Sequence, residues 1–329
     1  MIKTISDIAK LAGVSKSTVS RHLNGGYVSS EAKEKIETVI ARTGYEPNAF
    51  AQNLKAKQSN FIGVIVPRLD SYAAARTLIG IDEKLKQHNY QMLIANTGLS
   101  REREIESLYS LAKQKVAGII LLATEVSARH QTAIDSIKVP VVLMGQEHSK
   151  YYCVTYDDFN AAYELARYVI ARGHRKIAYL GVTETDIAVG VRRKAGFRKA
   201  AGEAEGLDIS YHTTSFAIED AIDAAARIIR ETRPSLLFCA TDNIALGAMK
   251  SVFSQGLKIP ADISVVGFGD YNVSAVVHPG LTTARFDYYQ AGFTAAGNLV
   301  RLLQGETVQR LIVCDYQIIE RESVDKLNF

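Results

Sequence analysis

The sequence predicts a small all-α helix-turn-helix unit, followed by a large α/β region with two parallel sheets. Three observations lead to this prediction. The first 57 residues read as short amphipathic helices separated by glycines, residues from Phe61 onward alternate short apolar runs with amphipathic stretches, and the excess positive charge lies at the front. The chain has 329 residues, of which 47% are apolar, so it can bury the cores of two or three domains.

Two capped helices open the chain. Thr4 is placed to cap the first helix, with Asp7 completing a capping box, and Gly13 is placed to end it. Ser15 can cap a second helix, and a third runs through SEAKEKIETVIARTG. Two helices joined by a short turn with glycine form a helix-turn-helix, whose second helix lies in the major groove of DNA. Periodicity alone leaves a plain three-helix bundle as the alternative.

The positive charge of the chain is concentrated in this front segment. Residues 1–57 contain nine Lys and Arg against five Asp and Glu, a net charge of +4, and the remaining charges cancel. Lys16, Ser17, Ser20 and Arg21 are predicted to point outward from the second helix. Lys and Arg can reach guanine or phosphate, and hydroxyls can bond base edges or backbone, so this face is the candidate DNA surface.

From Phe61 the chain reads as an α/β architecture. Short apolar runs predict buried parallel strands, and amphipathic stretches between them predict helices. The strand candidates are FIGVIVP, YQMLIANT, AGIILLA, VPVVLMG, KIAYLGV, SLLFCAT and DISVVGF. About 270 residues of this pattern are too many for one ordinary sheet, so two sheets are expected.

Ordered motifs along the whole chain resemble the LacI–GalR family of transcriptional regulators. The front motifs are TISDIAKLAGVSKSTVSRHLN, VSSEAKEKI and GYEPNAFAQNLKAKQS, and the later ones are GVIVP, ARGHRKIAYLG, VRRKAGF, TDNIALGAMK, DISVVGFGD and HPGLTT. Within the family, AVGVRRKAGF and the stretch from VVGFGD to YYQAG look most like the sucrose-operon repressors. The resemblance implies a homodimer on near-palindromic operator DNA, regulated by a sugar or a sugar phosphate.

The resemblance also divides the chain. It implies a headpiece over residues 1–46, a hinge helix and linker over 47–59, and a periplasmic-binding-protein-like core over 60–329. The core then comprises an N-subdomain (about 60–157 and 287–317) and a C-subdomain (about 158–286 and 318–329). We expect the chain to cross between them near Asp157–Asp158, Phe286–Asp287 and Ile318.

The resemblance assigns DNA-contacting positions. Lys16, Ser17 and Arg21 occupy the base-reading positions, and Leu54 in the hinge matches a side chain that wedges into the minor groove. The other candidate DNA contacts are Thr4, Ser15, Thr18, Ser20, Asn24, Tyr45, Asn48, Ala51 and Lys55.

Ligands of open α/β sheets bind beyond the carboxyl ends of the strands, so residues that follow the apolar runs are candidate effector contacts. Arg68 to Tyr72 follow the first run, and Arg193 has the closest motif match. The full set of candidates is Tyr72, Gln146, Asp157, Arg193, Phe216, Thr241, Asp242, Asp270 and Phe286. Asp242 is equally placed to cap a helix, Asp157 to hold a crossing, and Phe216 to belong to the core.

The sequence departs from the family at two places in this cleft. Many relatives read Asn-Pro-Phe-Phe where this chain has Ser71-Tyr72-Ala73-Ala74, which predicts a roomier cleft with Tyr72 as a replacement ring. Gly269 stands where relatives place an aspartate, and Asp270 follows it. A roomier cleft is compatible with a disaccharide, phosphorylated or not.

Other classes of function have little support in the sequence. It lacks the G-x-S-x-G, Walker A and H-E-x-x-H motifs, and the three cysteines have no metal-ligand spacing, so we expect no enzyme, metal or cofactor. No apolar run approaches a membrane span, and we expect a bacterial cytoplasmic, nucleoid-associated protein. A glycosidase or a transport-type sugar-binding protein are the rivals of another class. A catabolite regulator with a phosphorylated carrier protein as corepressor is the rival within the family.

Overall fold

The structure, a computed structural model, describes residues 4–23, 25–45 and 59–327. It divides into two compact units, residues 1–59 and residues 60–329, and each is described by itself. Among the described residues, no helix combines the length and the apolar character that a bilayer span requires.

The front unit contains helices α1 (Ile5–Ala12), α2 (Lys16–Leu23) and α3 (Ser30–Thr43). The amide of Asp7 donates to Thr4 Oγ1 at 3.3 Å, and the amide of Thr4 donates to Asp7 Oδ2 at 2.8 Å, so the predicted capping box is confirmed. Gly13 ends α1 with a φ of 63°, in the left-handed region that glycine adopts at little cost. These are local signals that the sequence states directly.

A small apolar core holds the three helices together. Ile8, Val19 and Ile36 are fully buried, and Leu23 and Ile40 pack against them from the edge. Each helix contributes a side chain to this core at the spacing of an amphipathic helix, which leaves the opposite faces in water.

The second unit begins with a six-stranded parallel sheet, sheet 1. Its strands, in spatial order, are β11 (Leu311–Cys314), β5 (Tyr152–Tyr156), β4 (Val141–Met144), β3 (Gly118–Leu122), β1 (Phe61–Val66) and β2 (Gln91–Asn96). The helices that alternate with these strands are α4 (Tyr72–Lys86), α5 (Arg101–Lys113), α6 (Ala128–Ser136) and α12 (Tyr288–Leu303).

Sheet 2 has the same plan with one exception. Its strands, in spatial order, are β12 (Tyr316–Ile319), β10 (Thr282–Phe286), β9 (Ser264–Gly269), β8 (Leu236–Cys239), β6 (Lys176–Gly181) and β7 (Asp208–Thr213). The strand β12 pairs antiparallel with β10, while the other pairs are parallel. The helices are α7 (Asp158–Ala171), α8 (Arg193–Gly202), α9 (Ile218–Thr232), α10 (Asp242–Ser254) and α11 (Asn272–Val276), and a π-helical segment, Ile187–Arg192, precedes α8.

The chain passes between the two sheets three times. The first passage lies at Asp157, between β5 and α7, and the second at Asp287, between β10 and α12. The third lies at Asp315, between β11 and β12, so Tyr316 and Gln317 already belong to sheet 2. The sequence analysis expects this passage near Ile318, and the structure has it three residues earlier. The stretch CDYQII carries no glycine or proline to mark the passage.

Burial explains why the strands read as apolar runs. The residues of β4 and β9 are buried throughout, whereas the edge strands β2 and β7 alternate between exposed and half-buried residues. Helix α12 returns to sheet 1 and packs tightly on α4. The contact is so close at Gly80 that a Cβ there would lie 2.0 Å from the carbonyl oxygen of Tyr289, so a larger residue does not fit. The second unit therefore consists of two α/β subdomains, and the chain connects them at the three passages described above. The predicted fold class is confirmed.

Candidate functional site

The outward face of α2 is the candidate nucleic-acid surface of the front unit. Lys16, Ser17 and Arg21 are exposed, while Val19 on the opposite side is fully buried. A Cβ on Gly26 would lie 2.6 Å from Arg21 Cγ, so a glycine at this position leaves room for the arginine stem. The face therefore presents two cations and a hydroxyl from a helix whose orientation is held by its buried side.

Hydroxyl groups cluster at the start of α2. Ser15 Oγ lies 2.7 Å from Ser17 Oγ and 2.8 Å from Thr18 Oγ1, and it accepts the Thr18 amide at 3.1 Å. Ser15 thus caps α2, as predicted. A helix N-terminus with exposed hydroxyls is a favourable place for a phosphate oxygen.

The remaining predicted DNA contacts have other surroundings. Thr4 is exposed and caps α1, Ser20 is half-buried, and Tyr45 packs against the apolar core of the unit, where burial raises its pKa. The hinge helix and the candidates Asn24, Asn48, Ala51, Leu54 and Lys55 lie outside the described residues. One residue that the sequence analysis overlooks is Tyr27, which is 90% exposed between α2 and α3.

The second unit contains a cleft between its two subdomains, with a cavity volume of about 170 Å³. Its lining residues follow the carboxyl ends of strands from both sheets, where ligands of open α/β sheets bind. Each subdomain contributes one wall, so a molecule in the cleft touches both.

Arg193 is the most deeply held charge of the cleft. Its side chain is 6% exposed, Nε donates to Asp158 Oδ1 at 2.7 Å, and Nη1 donates to the carbonyl oxygen of Ala240 at 2.7 Å. The guanidinium also lies over the rings of Phe268 and Phe286, at 4.9 and 5.1 Å from their centroids. Burial opposes the charge of Arg193, but the neighbouring Asp158 carboxylate raises its pKa above the usual value, so the guanidinium stays charged.

Aromatic rings form the floor of the cleft. Tyr156 packs on Tyr288 with ring centroids 5.3 Å apart, and Phe286 lies behind both rings. Tyr271 and Tyr288 are buried, and burial raises the pKa of each phenol. Rings of this kind cover the apolar face of a sugar, while their hydroxyl groups bond its polar edge.

Several contacts join the two walls of the cleft. The Tyr72 ring stacks on Tyr271 at 4.4 Å, and its hydroxyl donates to Asn272 Oδ1 at 2.9 Å. The amide of Ile187 donates to the carbonyl oxygen of Thr124 at 3.2 Å. An ion pair between Arg192 and Glu147 (3.1 Å) and a contact of Arg68 with the Phe216 ring (4.9 Å) also join the two walls. The two walls of the cleft are therefore in direct contact with each other in this structure.

Hydrogen bonds to backbone groups fix the positions of several polar side chains in the cleft. Gln146 Nε2 donates to the carbonyl oxygen of Thr124 at 2.9 Å, and Thr241 caps α10 by accepting the Ile244 amide at 3.3 Å. Asp186 accepts the Val189 amide at 2.8 Å at the start of the π-helical segment, and burial raises its pKa. π-helical segments are rare in proteins and occur frequently at functional sites.

Five of the nine predicted effector contacts line the cleft: Tyr72, Gln146, Arg193, Phe216 and Thr241. The structure does not bring the other four to its surface. Asp157 caps α7 by accepting the Asn160 amide at 3.2 Å, at the first passage between the sheets. Phe286 is 3% exposed and lies beneath Arg193, inside the core.

Asp242 and Asp270 also serve the framework. Asp242 is fully buried and accepts from the Tyr271 amide, Ser274 Oγ and Thr283 Oγ1 at 2.9, 2.7 and 2.6 Å. Asp270 pairs with Arg285 at 2.6 Å and Arg321 at 2.5 Å. A strand end places each carboxylate near the cleft, but the neighbouring donors turn both of them away from it. Gly269 has a φ of 134°, and a Cβ there would lie 2.2 Å from the Tyr271 ring, so a side chain does not fit.

The structure adds residues that the sequence analysis did not select. Arg68, Asp158, Asp186, Tyr156, Tyr271 and Tyr288 all line the cleft. Arg68 stands in the first strand-end stretch, from which only Tyr72 was selected, and Asp158 adjoins a passage. The three tyrosines carry no local signal, because a buried tyrosine and a ligand-facing tyrosine look alike in sequence.

Comparisons with known proteins cover both units. The sequence model described as bacterial regulatory proteins, lacI family, matches residues 4–48, and the model described as periplasmic binding protein-like domain matches residues 166–324. A sucrose operon repressor of Staphylococcus xylosus is 37% identical over 96% of this chain and 98% of its own. Catabolite control protein A of Priestia megaterium is 30% identical over 94% of this chain and 95% of its own.

Solved structures agree with the sequence comparisons. The lac repressor dimer, bound to operator and the anti-inducer ONPF, matches with a TM-score of 0.88 at 26% identity. The match covers 99% of this chain and 100% of that chain. The resemblance inferred from the motifs is therefore confirmed along the full length.

Proposed function

The chain belongs to the LacI family of bacterial regulatory proteins, and on this premise we propose that it represses a carbohydrate-utilisation operon and leaves its operator when a sugar fills the cleft. The observation that carries the proposal is the 37% identity to a sucrose operon repressor over 96% of the chain. That similarity includes both the exposed face of α2 and the cleft of the core. We place the protein on operator DNA in the bacterial cytoplasm, as part of the nucleoid.

For DNA recognition, we assign α2 to the major groove. Base edges are read by Lys16, Ser17 and Arg21. The guanidinium of Arg21 has two neighbouring N–H donors that can bind guanine O6 and N7 at the same time. The hydroxyls of Ser15 and Thr18 contact or support phosphate positions, with Ser20, Asn24 and Tyr45 beside them. Residues 47–59 form a hinge that pairs with its copy on the operator, and Leu54 enters the minor groove at the centre.

For the effector, we favour a sucrose-type disaccharide. The Staphylococcus xylosus relative is named for the sucrose operon, and the cleft combines aromatic rings with polar groups from both walls. Two chains pair through their cores and present two headpieces to a near-palindromic operator. Sugar in the cleft changes the relation between the subdomains and weakens operator binding, a coupling of about 1–3 kcal/mol in typical allosteric proteins.

Selection of duplexes from a random library tests the repressor assignment. We expect the full chain to enrich one near-palindromic sequence and to bind it about 10³-fold or more tightly than random competitor. Adding sucrose or its phosphate should release that duplex. Enrichment of no sequence, with or without these sugars, would refute the assignment.

A pair of arginine variants tests the reading face. R21Q should reduce the discrimination among operator variants at one position, because the fork to guanine is lost, at a cost of about 1–3 kcal/mol. Arg42 is exposed on α3, so R42Q is the matched control and should leave the ranking of operator variants unchanged. Equal rankings for R21Q and wild type would remove Arg21 from the reading face.

Measuring operator affinity with and without each candidate effector distinguishes a sugar effector from a protein corepressor. Catabolite control protein A is 30% identical, so a phosphorylated carrier protein is the alternative corepressor. A change in operator affinity on adding that carrier protein, with no change on adding sugars, would favour the alternative.

A further inference from the structure

A polar cluster links the first turns of α5 and α6 in the subdomain of sheet 1. His130 and Glu104 are 0% and 1% exposed, and His130 Nε2 lies 3.0 Å from Glu104 Oε2. The other ring nitrogen, Nδ1, lies 2.8 Å from Ser127 Oγ and accepts the Ser127 amide at 3.3 Å. A backbone amide can only donate, so Nδ1 carries no proton and Nε2–H donates to Glu104. Ser127, His130 and Glu104 thus form one hydrogen-bonded unit, the polar cluster.

Stability alone does not account for the polar cluster. Its neighbours in the core are apolar, and Leu108 of α5 and Ala133 of α6 are 0% exposed. Apolar side chains in place of a buried ionisable pair often keep or raise stability, because removing the pair from water is costly. What the hydrogen bonds add is direction, since they fix the positions of the groups that they join. The group at the end of the cluster is Ser127, the residue directly before α6.

Ser127 also ends the loop that leads from β3 to α6, and this loop lines the cleft at Thr124. An ion pair of Glu125 with Arg101 ties the loop to the start of α5 near the surface. The polar cluster ties the end of the same loop to the first turn of α5 in the interior. Water screens the surface pair, so the polar cluster is the firmer of the two constraints on the loop.

The carbonyl oxygen of Thr124 is the point at which this loop meets the opposite wall. It accepts Gln146 Nε2 at 2.9 Å from its own wall and the amide of Ile187 at 3.2 Å from the other wall. Ile187 is the first residue of the π-helical segment, which Asp186 caps by accepting the Val189 amide. The first amides of a helix have no partner inside it, so the amide of Ile187 is available to the loop. The bond joins two main chains, and it exists only while the two walls are together.

We propose that the bond from the Ile187 amide to the Thr124 carbonyl is a latch that holds the cleft closed around its effector, and that His130 and Glu104 position this latch. An effector that touches both walls favours the conformation in which they meet, and a bond that exists only in that conformation adds to the effector's affinity. Among the described residues, those that line the cleft include neither His130 nor Glu104, so both act through Thr124 and are positioning residues. The inference rests on the proposed function, because it assumes an effector in the cleft.

The substitution I187P tests the latch by calorimetry on the full chain without DNA. Proline is favoured at the first position of a helix, where its missing N–H is tolerated. Asp186 is extended, with a φ of −92° and a ψ of 109°, a conformation that suits the residue before a proline. I187A, which keeps the amide and removes most of the side chain, is the matched control.

The probes are sucrose and sucrose 6-phosphate, and the one that the wild type binds more tightly is used for the variants. We expect I187P to bind it about three- to tenfold more weakly, the effect of one lost hydrogen bond. I187A should stay within about twofold of the wild type. Equal affinities of I187P and I187A overturn the latch.

Hydrogen exchange at single-residue resolution tests the latch and the polar cluster without any ligand. The Ile187 amide should be protected in the wild type, because it donates to the Thr124 carbonyl. An unprotected amide overturns the latch. The double variant E104M/H130L replaces the buried pair by apolar side chains and should remain folded. We expect its Ile187 amide to exchange at least about tenfold faster, since the loop loses its interior constraint.

The Ile244 amide is the control, because it donates to Thr241 Oγ1 at the start of α10, in the other subdomain. Its exchange rate should change less than about twofold in the double variant. Equal acceleration at Ile187 and Ile244 overturns the positioning role, and so does a wild-type rate at Ile187. H130N keeps an acceptor at the α6 end of the cluster but loses the carboxylate, so it should accelerate exchange at Ile187 about threefold. It decides the same comparison if the double variant does not fold.

Combined variants show whether the polar cluster acts through the latch. In I187P the latch donor is gone, so adding E104M/H130L should weaken sugar binding no further. N272A removes a separate contact between the walls, the hydrogen bond from Tyr72, so in this background the same addition should have its full effect. A full further loss in the I187P background overturns the connection.

The outcomes separate this inference from the repressor assignment. A chain that selects an operator and whose I187P variant binds sugar as tightly as the wild type keeps the repressor assignment and loses the latch. If neither sugar binds the wild type, the effector assignment fails, and exchange at Ile187 still decides on the latch. Selective exposure of that amide by E104M/H130L would then support the latch.

Discussion

The ion pair between Arg193 and Asp158 is a structural element of the cleft as well as part of its lining. Both side chains are almost fully buried, at 6% and 2% exposure. Removing one partner leaves the other as an uncompensated buried charge. We expect R193M to lower the free energy of unfolding of the core by about 3–5 kcal/mol, measured by urea denaturation.

Two further variants make this prediction specific. In D158N/R193M the orphaned charge is gone, so the double variant should be more stable than R193M alone. Arg192 is the adjacent arginine, 45% exposed in its pair with Glu147, and R192M should cost less than about 1 kcal/mol. Equal losses for R192M and R193M would contradict the argument from burial.

His174 gives the core a pH dependence. The side chain is 1% exposed, Nδ1 lies 3.1 Å from Ser235 Oγ, and Nε2 lies 3.3 Å from the carbonyl oxygen of Asp325. Burial lowers the pKa of His174 below its usual value of about 6.5. The unfolded chain therefore binds a proton more readily than the folded one, and the contribution of His174 to stability is fully present above about pH 6.5 and is lost as pH falls below it.

Denaturation between pH 5 and pH 8 measures this contribution. We expect the unfolding free energy of the wild type to fall with decreasing pH below about 6.5 more steeply than that of H174N, which has no titrating ring. His148 is half-buried, and H148N serves as the control substitution at a second histidine. Parallel slopes for H174N and wild type would contradict the assignment.

At the scale of elements, replacing either of two glycines by alanine should change stability in opposite directions. Gly13 ends α1 with a φ of 63°, and a Cβ there meets nothing within 4 Å, so the cost of G13A is the left-handed backbone alone. We expect G13A to destabilise the front unit by about 1–2 kcal/mol. Gly202 lies in the last turn of α8 with equally open surroundings and no left-handed φ, so G202A should stabilise the core by up to about 1 kcal/mol. Thermal unfolding followed separately for each unit checks both signs.

The contacts of α4 with α11 form a clamp across the cleft. The Tyr72 hydroxyl donates to Asn272 Oδ1 at 2.9 Å, and its ring stacks on Tyr271. An effector that touches both walls favours the conformation in which these contacts exist. We expect Y72F to weaken effector binding about fivefold and Y72A about tenfold or more, measured by calorimetry.

Asn272 provides the internal control for this clamp, because it does not line the cleft and cannot lose a direct contact with the effector. N272A should weaken binding as much as Y72F, and the double variant should weaken it no further, since both remove the same hydrogen bond. Additive losses in Y72F/N272A would show that Tyr72 acts on the effector directly and not through the clamp.

At the scale of the whole molecule, the assigned function requires two headpieces to act together. We expect a dimer in sedimentation, and an operator with one scrambled half-site should bind far more weakly, since each mismatched base pair costs about 1–3 kcal/mol. Raising the salt concentration should weaken all duplexes steeply, because Lys and Arg contacts to phosphates release counterions. Equal affinity for one and two half-sites would contradict the paired arrangement.

The sequence analysis succeeded where signals are local. The capping box of Thr4 and Asp7 and the glycine end of α1 follow from residues within one or two helical turns. Apolar runs identified seven of the twelve strands in the described part of the chain, because central parallel strands are buried on both faces. The quoted runs omit β5, β7, β10, β11 and β12. The third passage between the sheets was expected near Ile318 and lies at Asp315, because this single residue links β11 to β12 and no turn signal marks it.

By itself, the sequence determined the front helices, the alternation of strands and helices in the second unit, the charged face of α2 and the family, because these depend on neighbouring residues and on motifs in order. The tertiary structure decided which strand-end residues face the cleft. Asp242 turns to Ser274 and Thr283, and Tyr72 reaches Asn272, 200 positions away in sequence. The physical reason is that a side chain's role depends on the partners that folding brings to it, and those partners come from distant strands and helices.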